Sequence, residues 1–196
     1  SLTNWINNID FVQIAYPLAS DCSDCYVHQG FYETYAELRD QLWNTVKLYQ
    51  AAYGEDLPVQ ITGHSLGGAL ATHCALDGVL NFGVEAQFVY TYGQPRVGND
   101  NFANYYQSLV PITYRVTHSM DPVPHLPGQW LGTKDDFWHV ATEVFYESDP
   151  SGDYVVCDGS GEDDSCSDKY IVALDVSDHL DYLGYDFTAN VLNCKL

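Results

Sequence analysis

The chain has 196 residues, 46% of them hydrophobic, which is enough for one domain with a substantial core. Its 27 Asp and Glu outnumber 7 Lys and Arg, leaving a formal net charge of −20; nothing here neutralises phosphate, so nucleic acid and anionic membranes are poor partners. No apolar run reaches the length of a transmembrane span, and the start at Ser1 rather than Met reads as a chain already processed or part of something longer.

In chain order, Ile9 to Tyr16 reads as a strand. A loop with Cys22 and Cys25 follows, and from Phe31 the apolar residues Phe31, Tyr35, Leu38, Leu42, Val46, Tyr49 and Tyr53 recur every three or four positions, predicting a long helix that Gly54 ends. Pro58 opens a short strand, and Leu66 to Leu80 read as the next helix. Ala86 to Tyr92 and Ile112 to Thr117 are expected strands, with Asn101 to Leu109 helical between them. Met120 to Pro127 is too rich in proline for a helix or sheet interior. Trp138 to Tyr146 reads as a later, possibly antiparallel strand, and Asp178 to Tyr185 as a short helix or turn. Strands alternating with helices predict a mostly parallel sheet in a single domain, residues 1–196.

The chemistry centres on Gly63-His-Ser-Leu-Gly67, where the β-prone run Val59 to Thr62 meets the small-residue run Leu66 to Ala75. A serine at such a strand–turn–helix junction is a nucleophile elbow: the turn is tight, so Gly63 and Gly67 are expected to be small of necessity, and Gly68 and Ala69 let the helix lie close to the sheet. Ser65 then projects its hydroxyl among the helix-start amides. A serine hydroxyl needs a base, and the base a carboxylate to orient it. In α/β-hydrolase order the acid follows the serine and the histidine comes last. His179, in the polar segment Ser177-Asp-His-Leu-Asp181, is preferred to its rival His125 between prolines, and Asp121 is preferred to Asp178 and Asp100. Asp178 neighbours His179 in sequence, where side chains rarely face one another, and Asp100 is more simply a helix cap.

Six cysteines suit an oxidising compartment. Cys22 and Cys25 can close a small ring; a redox motif or half a zinc site would require a context that is absent. Cys157 and Cys166 bracket an acidic, Gly-containing loop, Cys74 reads as a buried free thiol, and Cys194 has no evident partner in the chain.

Four blocks together resemble the filamentous-fungal class 3 lipases, the Rhizomucor- and Thermomyces-type enzymes with the related feruloyl esterases. They are Thr62-Gly-His-Ser-Leu-Gly-Gly-Ala-Leu-Ala71, Tyr92-Gly-Gln-Pro-Arg-Val-Gly-Asn99, Asp121-Pro-Val-Pro-His-Leu-Pro127 and Asp178-His-Leu-Asp-Tyr182. They stand in family order over nearly the whole chain. The resemblance implies an α/β-hydrolase fold, a Ser65–Asp121–His179 triad and a Cys157–Cys166 bridge, and the Cys22–Cys25 ring is similar to that of the feruloyl esterase branch. It also implies that Leu2 to Asn8 form an amphipathic lid, with Leu2, Trp5 and Ile6 on its apolar face, that the Leu66 N–H is the first oxyanion donor, and that the second donor and the partner of Cys194 lie upstream of Ser1.

The expected activity is that of a secreted carboxylic-ester hydrolase, a triacylglycerol lipase that uses an acyl-enzyme on a lipid or ester substrate at an interface, with neither cofactor nor metal. An N-terminal fragment of the same precursor, tethered through Cys194, is the expected partner. A feruloyl or other polysaccharide-linked acyl esterase is the alternative enzyme, and a catalytically silent lipid-binding fragment the alternative of a different class.

Overall fold

The computed structural model describes residues 4, 6, 9–54, 56–129, 136–170 and 172–187. Leu2 and Trp5 of the expected lid, and Cys194, lie outside the described residues. Of the lid segment, Asn4 and Ile6 are described; both are helical and Ile6 is half-buried.

A short hairpin, β1 (Gln13–Ala15) with β2 (Tyr26–His28), opens the described fold. The expected strand from Ile9 is only three residues long, because its partner β2 has three and Val12 instead accepts from the Gln29 amide. Helix α1 (Gln29–Tyr53) follows, started by His28, whose ring accepts from the Phe31 amide. Its buried residues are Phe31, Tyr35 and Trp43, whereas Leu38, Tyr49 and Tyr53 of the expected apolar face are exposed. Trp43 is the anchor that periodicity passed over: it stacks on Phe82 and donates to the Tyr35 hydroxyl at 2.9 Å.

Strand β3 (Val59–His64) runs into α2 (Leu66–Asp77), and α2 packs on β3 and on β4 (Ala86–Tyr92). The helix stops three residues earlier than expected, widening into a π turn at Gly78–Phe82. Asp77 fixes that end: fully buried, it accepts from the Tyr35 hydroxyl at 2.5 Å, from Arg39 at 2.7 and 3.0 Å and from Asn81 at 2.8 Å. A buried carboxylate requires such partners, and these tie α1 to α2. Helix α3 (Asp100–Leu109) and strands β5 (Thr113–His118) and β6 (Glu143–Tyr146) complete the α/β alternation.

The main sheet has the order β3-β4-β5-β6-β7, where β7 is Val155–Val156. Strands β3 to β6 are parallel and β7 is antiparallel. The expected antiparallel strand from Trp138 is therefore corrected in both direction and extent: β6 pairs parallel to β5, Arg115 opposite Glu143. Just before β6, Thr142 still exchanges backbone hydrogen bonds with Thr113 and Arg115 of β5, and further back the Val140 carbonyl accepts from Arg115 Nε at 2.5 Å. Near the end of the described chain, a 3-10 turn (Asp178–Leu180) leads into a small hairpin, β8 (Asp181–Tyr182) with β9 (Tyr185–Asp186).

The main core lies between the sheet and the helices, around Val27, Leu76, Val89, Phe102 and Tyr106. The opposite sheet face carries Tyr90, Tyr92, Tyr114 and Tyr146, all only half-buried. Cysteines pair as Cys22–Cys25 and Cys157–Cys166, and Cys74 is free and buried. This is the α/β-hydrolase fold.

Candidate active site

Open parallel sheets place ligands outside the carboxyl ends of their strands, and the predicted residues gather there. Ser65 follows β3 directly. It takes φ 57° and ψ −129°, a conformation that costs a non-glycine residue about 1–3 kcal/mol and persists only where its surroundings enforce it. Its amide donates to the Tyr92 carbonyl at 2.9 Å, and its carbonyl accepts from Gly68 at 2.9 Å. The side chain makes no capping hydrogen bond. Leu66 opens α2, so its N–H belongs to the helix-start amides that lack an intrahelical acceptor.

The steric demand of the elbow falls on one predicted glycine and not the other. A Cβ on Gly63 would stand 2.1 Å from the Gly67 carbonyl oxygen, an impossible contact, whereas a Cβ on Gly67 would meet nothing within 4 Å. The close approach of helix to sheet is at Gly68, whose Cβ would lie 3.0 Å from Cβ of Gln94.

Asp121 and His179 meet although 58 residues separate them. His179 Nδ1 lies 3.0 and 2.8 Å from the two Asp121 oxygens, and both side chains are buried. Asp121 Oδ1 also accepts from the Val123 amide at 2.8 Å, and Oδ2 from the Tyr182 hydroxyl at 2.5 Å. A proton on Nδ1 satisfies the carboxylate and leaves Nε2 as the acceptor. That Nε2 is buried and has no hydrogen-bond partner among the described residues. No hydrogen bond from Ser65 to His179 is present among the described residues; the two are linked through the serine's neighbour. His64 Nε2 is 2.7 Å from the His179 carbonyl, and the two rings are 4.5 Å apart.

The other candidates lie elsewhere. Asp178 turns to the Met120 amide at 2.9 Å, away from its neighbour's ring. Asp100 is the first residue of α3 and not its cap; Asn99 caps it, accepting from Phe102 at 3.0 Å. His125 has a partnerless Nε2 and no contact with Ser65 among the described residues, and burial lowers its pKa.

Three further residues shape the site. Tyr182 holds Asp121, and burial followed by the Asp121 charge pushes its own pKa well up, so it remains a donor. His64 braces the His179 backbone; burial and then His179 lower its pKa, keeping it neutral. Gly93, at φ 54°, passes directly behind the pair: a Cβ there would be 2.8 Å from both Asp121 Oδ2 and His179 Nδ1. All three stand in or beside the four sequence blocks, but residue type alone did not mark them.

The chain matches the family described as lipase (class 3) over residues 1–130. It is 39% identical over 190 residues to a lipase of Rhizomucor miehei, covering 94% of this chain and 49% of that protein. It is 36% identical over 192 residues to secreted mono- and diacylglycerol lipase 1 of Fusarium solani, covering 93% and 53%. The chain thus spans about half the length of the curated relatives it matches. In structure it is similar to the Rhizomucor miehei lipase propeptide complex, with a TM-score of 0.82 at 38% identity over 95% of this chain and 58% of that one. It is also similar to a triacylglycerol lipase whose catalytic centre is described as a serine protease triad, with a TM-score of 0.81 at 39% identity over 94% and 68%. By sequence and by fold, this chain belongs to the class 3 lipase family.

Proposed function

We propose that the protein is a secreted carboxylic-ester hydrolase, a lipase that works through Ser65, His179 and Asp121. The observation that carries the reading is the buried Asp121–His179 pair, with a free Nε2, beside a serine held at a strained elbow. In this mechanism His179 Nε2 takes the hydroxyl proton as Ser65 Oγ bonds to the ester carbonyl carbon. The Leu66 N–H stabilises the oxyanion. Collapse expels the alcohol, which leaves with the proton from His179, and water repeats the steps on the acyl-enzyme. Asp121 keeps the imidazole in the productive tautomer and stabilises its cation.

An acylglycerol substrate is supported by the similarity to the Fusarium mono- and diacylglycerol lipase and to the triacylglycerol lipase of known structure. Secretion is supported by two disulfides, and no described helix is long and apolar enough to cross a membrane. Residues 1–196 read as one catalytic domain with 2–8 as its lid. A further segment of the same precursor completes it, pairing with the β3 edge and supplying the second oxyanion donor. The sheet order supports this, since β3 has no second neighbour among the described residues, as does the propeptide complex of the Rhizomucor relative.

The test is labelling with an organophosphonate and turnover of long-chain acylglycerol, short-chain ester and feruloyl ester. Ser65 should be the labelled serine, and Ser65→Ala should lower turnover by about 10⁴ or more. Parent turnover in that variant would sink the mechanism; preference for feruloyl ester would replace the lipase by the esterase reading.

A further inference from the structure

We propose that Glu162, on the loop closed by the Cys157–Cys166 disulfide, is a positioning residue that holds the Asp121 loop in register with His179 by way of Arg96 and His139. The inference rests on the reading of Ser65, His179 and Asp121 as the reacting residues.

The segment Asp121 to Pro127 contains three prolines, so it can neither donate a regular ladder of hydrogen bonds nor join a sheet. Its position is set by what its carbonyls accept. The Pro124 carbonyl accepts from His139 Nε2 at 2.8 Å. The Leu126 carbonyl accepts from the Arg96 amide at 2.7 Å, and the Pro127 carbonyl from Arg96 Nη1 at 3.1 Å. Two residues therefore fasten three carbonyls of the loop that carries the acid.

One carboxylate fastens both of those residues. Glu162 Oε1 accepts from Arg96 Nε and from the His139 amide, each at 2.8 Å, and Oε2 accepts from Arg96 Nη2 at 2.7 Å. This is a two-pronged carboxylate–guanidinium pair, the geometry that fixes orientation as well as distance. Its side chains are 4% and 6% exposed, so solvent screens it little. His139 is fully buried, and burial, then Arg115 and Arg96, keep its ring neutral. The single ring proton then sits on Nε2, where Pro124 accepts it. Arg115 steadies the same frame, donating to the Val140 carbonyl beside His139 and to the Gly161 carbonyl beside Glu162, the latter at 3.0 Å.

A structural ion pair would also explain Arg96–Glu162 in isolation. What favours positioning is where the donors end: on three carbonyls of the Asp121 loop, those of Pro124, Leu126 and Pro127. Without Glu162 the buried guanidinium keeps Asp168 as its remaining acid, now at 3.4 Å from Nη2. Turning toward Asp168 draws Nη1 away from Pro127 and frees the His139 amide, so the loop relaxes at both ends. Asp121 then stands less squarely against His179, whose other close neighbours are the neutral His64 ring and Tyr182 through the shared carboxylate. The imidazolium loses stabilisation. The maximal rate falls, and the acid limb of the rate profile moves to lower pH.

The test uses the complete polypeptide that carries this chain, with Glu162→Ala and Glu162→Gln. Competent sites are counted by organophosphonate titration, and kcat per titrated site is followed against pH on a soluble short-chain ester. Displacing a catalytic group by about an ångström costs up to about 10²-fold, so E162A is expected to lose about 10- to 100-fold in kcat per site, with KM within about twofold and the acid limb displaced downward. E162Q keeps an acceptor in place and should recover part of the rate and part of the displacement. Fewer titratable sites with parent kcat and parent pH profile would show a merely structural role and overturn the proposal, as would a change confined to KM. If E162A yields no folded protein, E162Q alone decides, and parent values in it overturn the proposal. Ser65→Ala run alongside separates the two readings: parent turnover there refutes the triad, whereas its loss with an unaltered E162Q refutes only the positioning role.

Discussion

At the scale of single residues, the site depends on where backbone is allowed to pass. Gly93 has the positive φ that L side chains avoid, and it also lies against both members of the Asp121–His179 pair. Gly93→Ala would add about 1 kcal/mol of backbone strain. It would also drive a methyl into the space between Nδ1 and Oδ2. The expected result is a fall in kcat of about 10²-fold with a much smaller loss of thermal stability, read from turnover and melting curves on the same preparation. Parent kcat would mean the pair tolerates displacement and that its geometry is not limiting. The same scale explains why Gly63 is irreplaceable and Gly67 is not: only the first faces the backbone of the opposite arm of the turn.

At the scale of elements, strand β3 is the point of interest because it carries the elbow at the rim of the described sheet. Val59 and Ile61 pack inward against a smaller core around Tyr35, Trp43, Cys74 and Val84, while Gln60 and Thr62 are exposed. A six-residue strand with one edge open is an aggregation hazard unless something pairs with or covers that edge. Parallel sheets are normally covered on both faces, yet the tyrosine-bearing face is half-open. The further segment proposed above would meet both needs at once. The intact, non-reduced native protein is therefore expected to weigh more than the 22.0 kDa of this chain. A single species of this mass, with Cys194 titrating as a free thiol and with full lipase activity, would refute the two-piece reading.

At the scale of the whole molecule, buried histidines contribute to the response to acid. His73 is fully buried, stacked between Tyr16 and Tyr35 with ring centroids 5.8 and 5.9 Å away, and neither ring nitrogen has a partner among the described residues. Burial, then the neighbouring His28, pushes its pKa down to about 3, against an ordinary value of 6.5. His28, His64, His125 and His139 are also lowered, chiefly by burial. Between the two values the unfolded chain binds a proton that the folded one refuses. The share of stability linked to these histidines is thus fully present above about pH 6.5 and declines as the pH falls toward 3. Relief of repulsion among surface carboxylates acts in the opposite sense as the chain approaches its pI of about 4.2, but those charges are screened by salt. In 0.15 M salt, His73→Leu should flatten the dependence of unfolding free energy on pH between 6.5 and 3 by on the order of a few kcal/mol. Unchanged slopes in denaturant titrations at several pH values would place the acid sensitivity elsewhere.

The sequence by itself determined the elements whose cause is local: the β3–elbow–α2 junction, from a β-prone run meeting small residues at Ser65, and the α/β alternation that sets the fold class. The same local chemistry, with chain order and family resemblance, singled out Asp121 and His179, whose side chains the structure brings within hydrogen-bond reach. Only the tertiary structure decided matters of packing across distant segments. Trp43 displaced Leu38 and Tyr53 as a helix anchor because Phe82 and Tyr35 were there to receive it. The strand ending at Tyr146 pairs parallel with β5, and the buried Arg115 side chain holds the Val140 carbonyl ahead of it, contacts between segments some 25 residues apart. Tyr182, Gly93 and Glu162 carry no local signature; each matters through distant neighbours, among them Asp121 for the first two and Arg96 for the third, 61, 28 and 66 residues away along the chain. Periodicity and propensity register only what lies within a turn or two of helix or strand. Partners at such separations are selected by the packing of the whole chain.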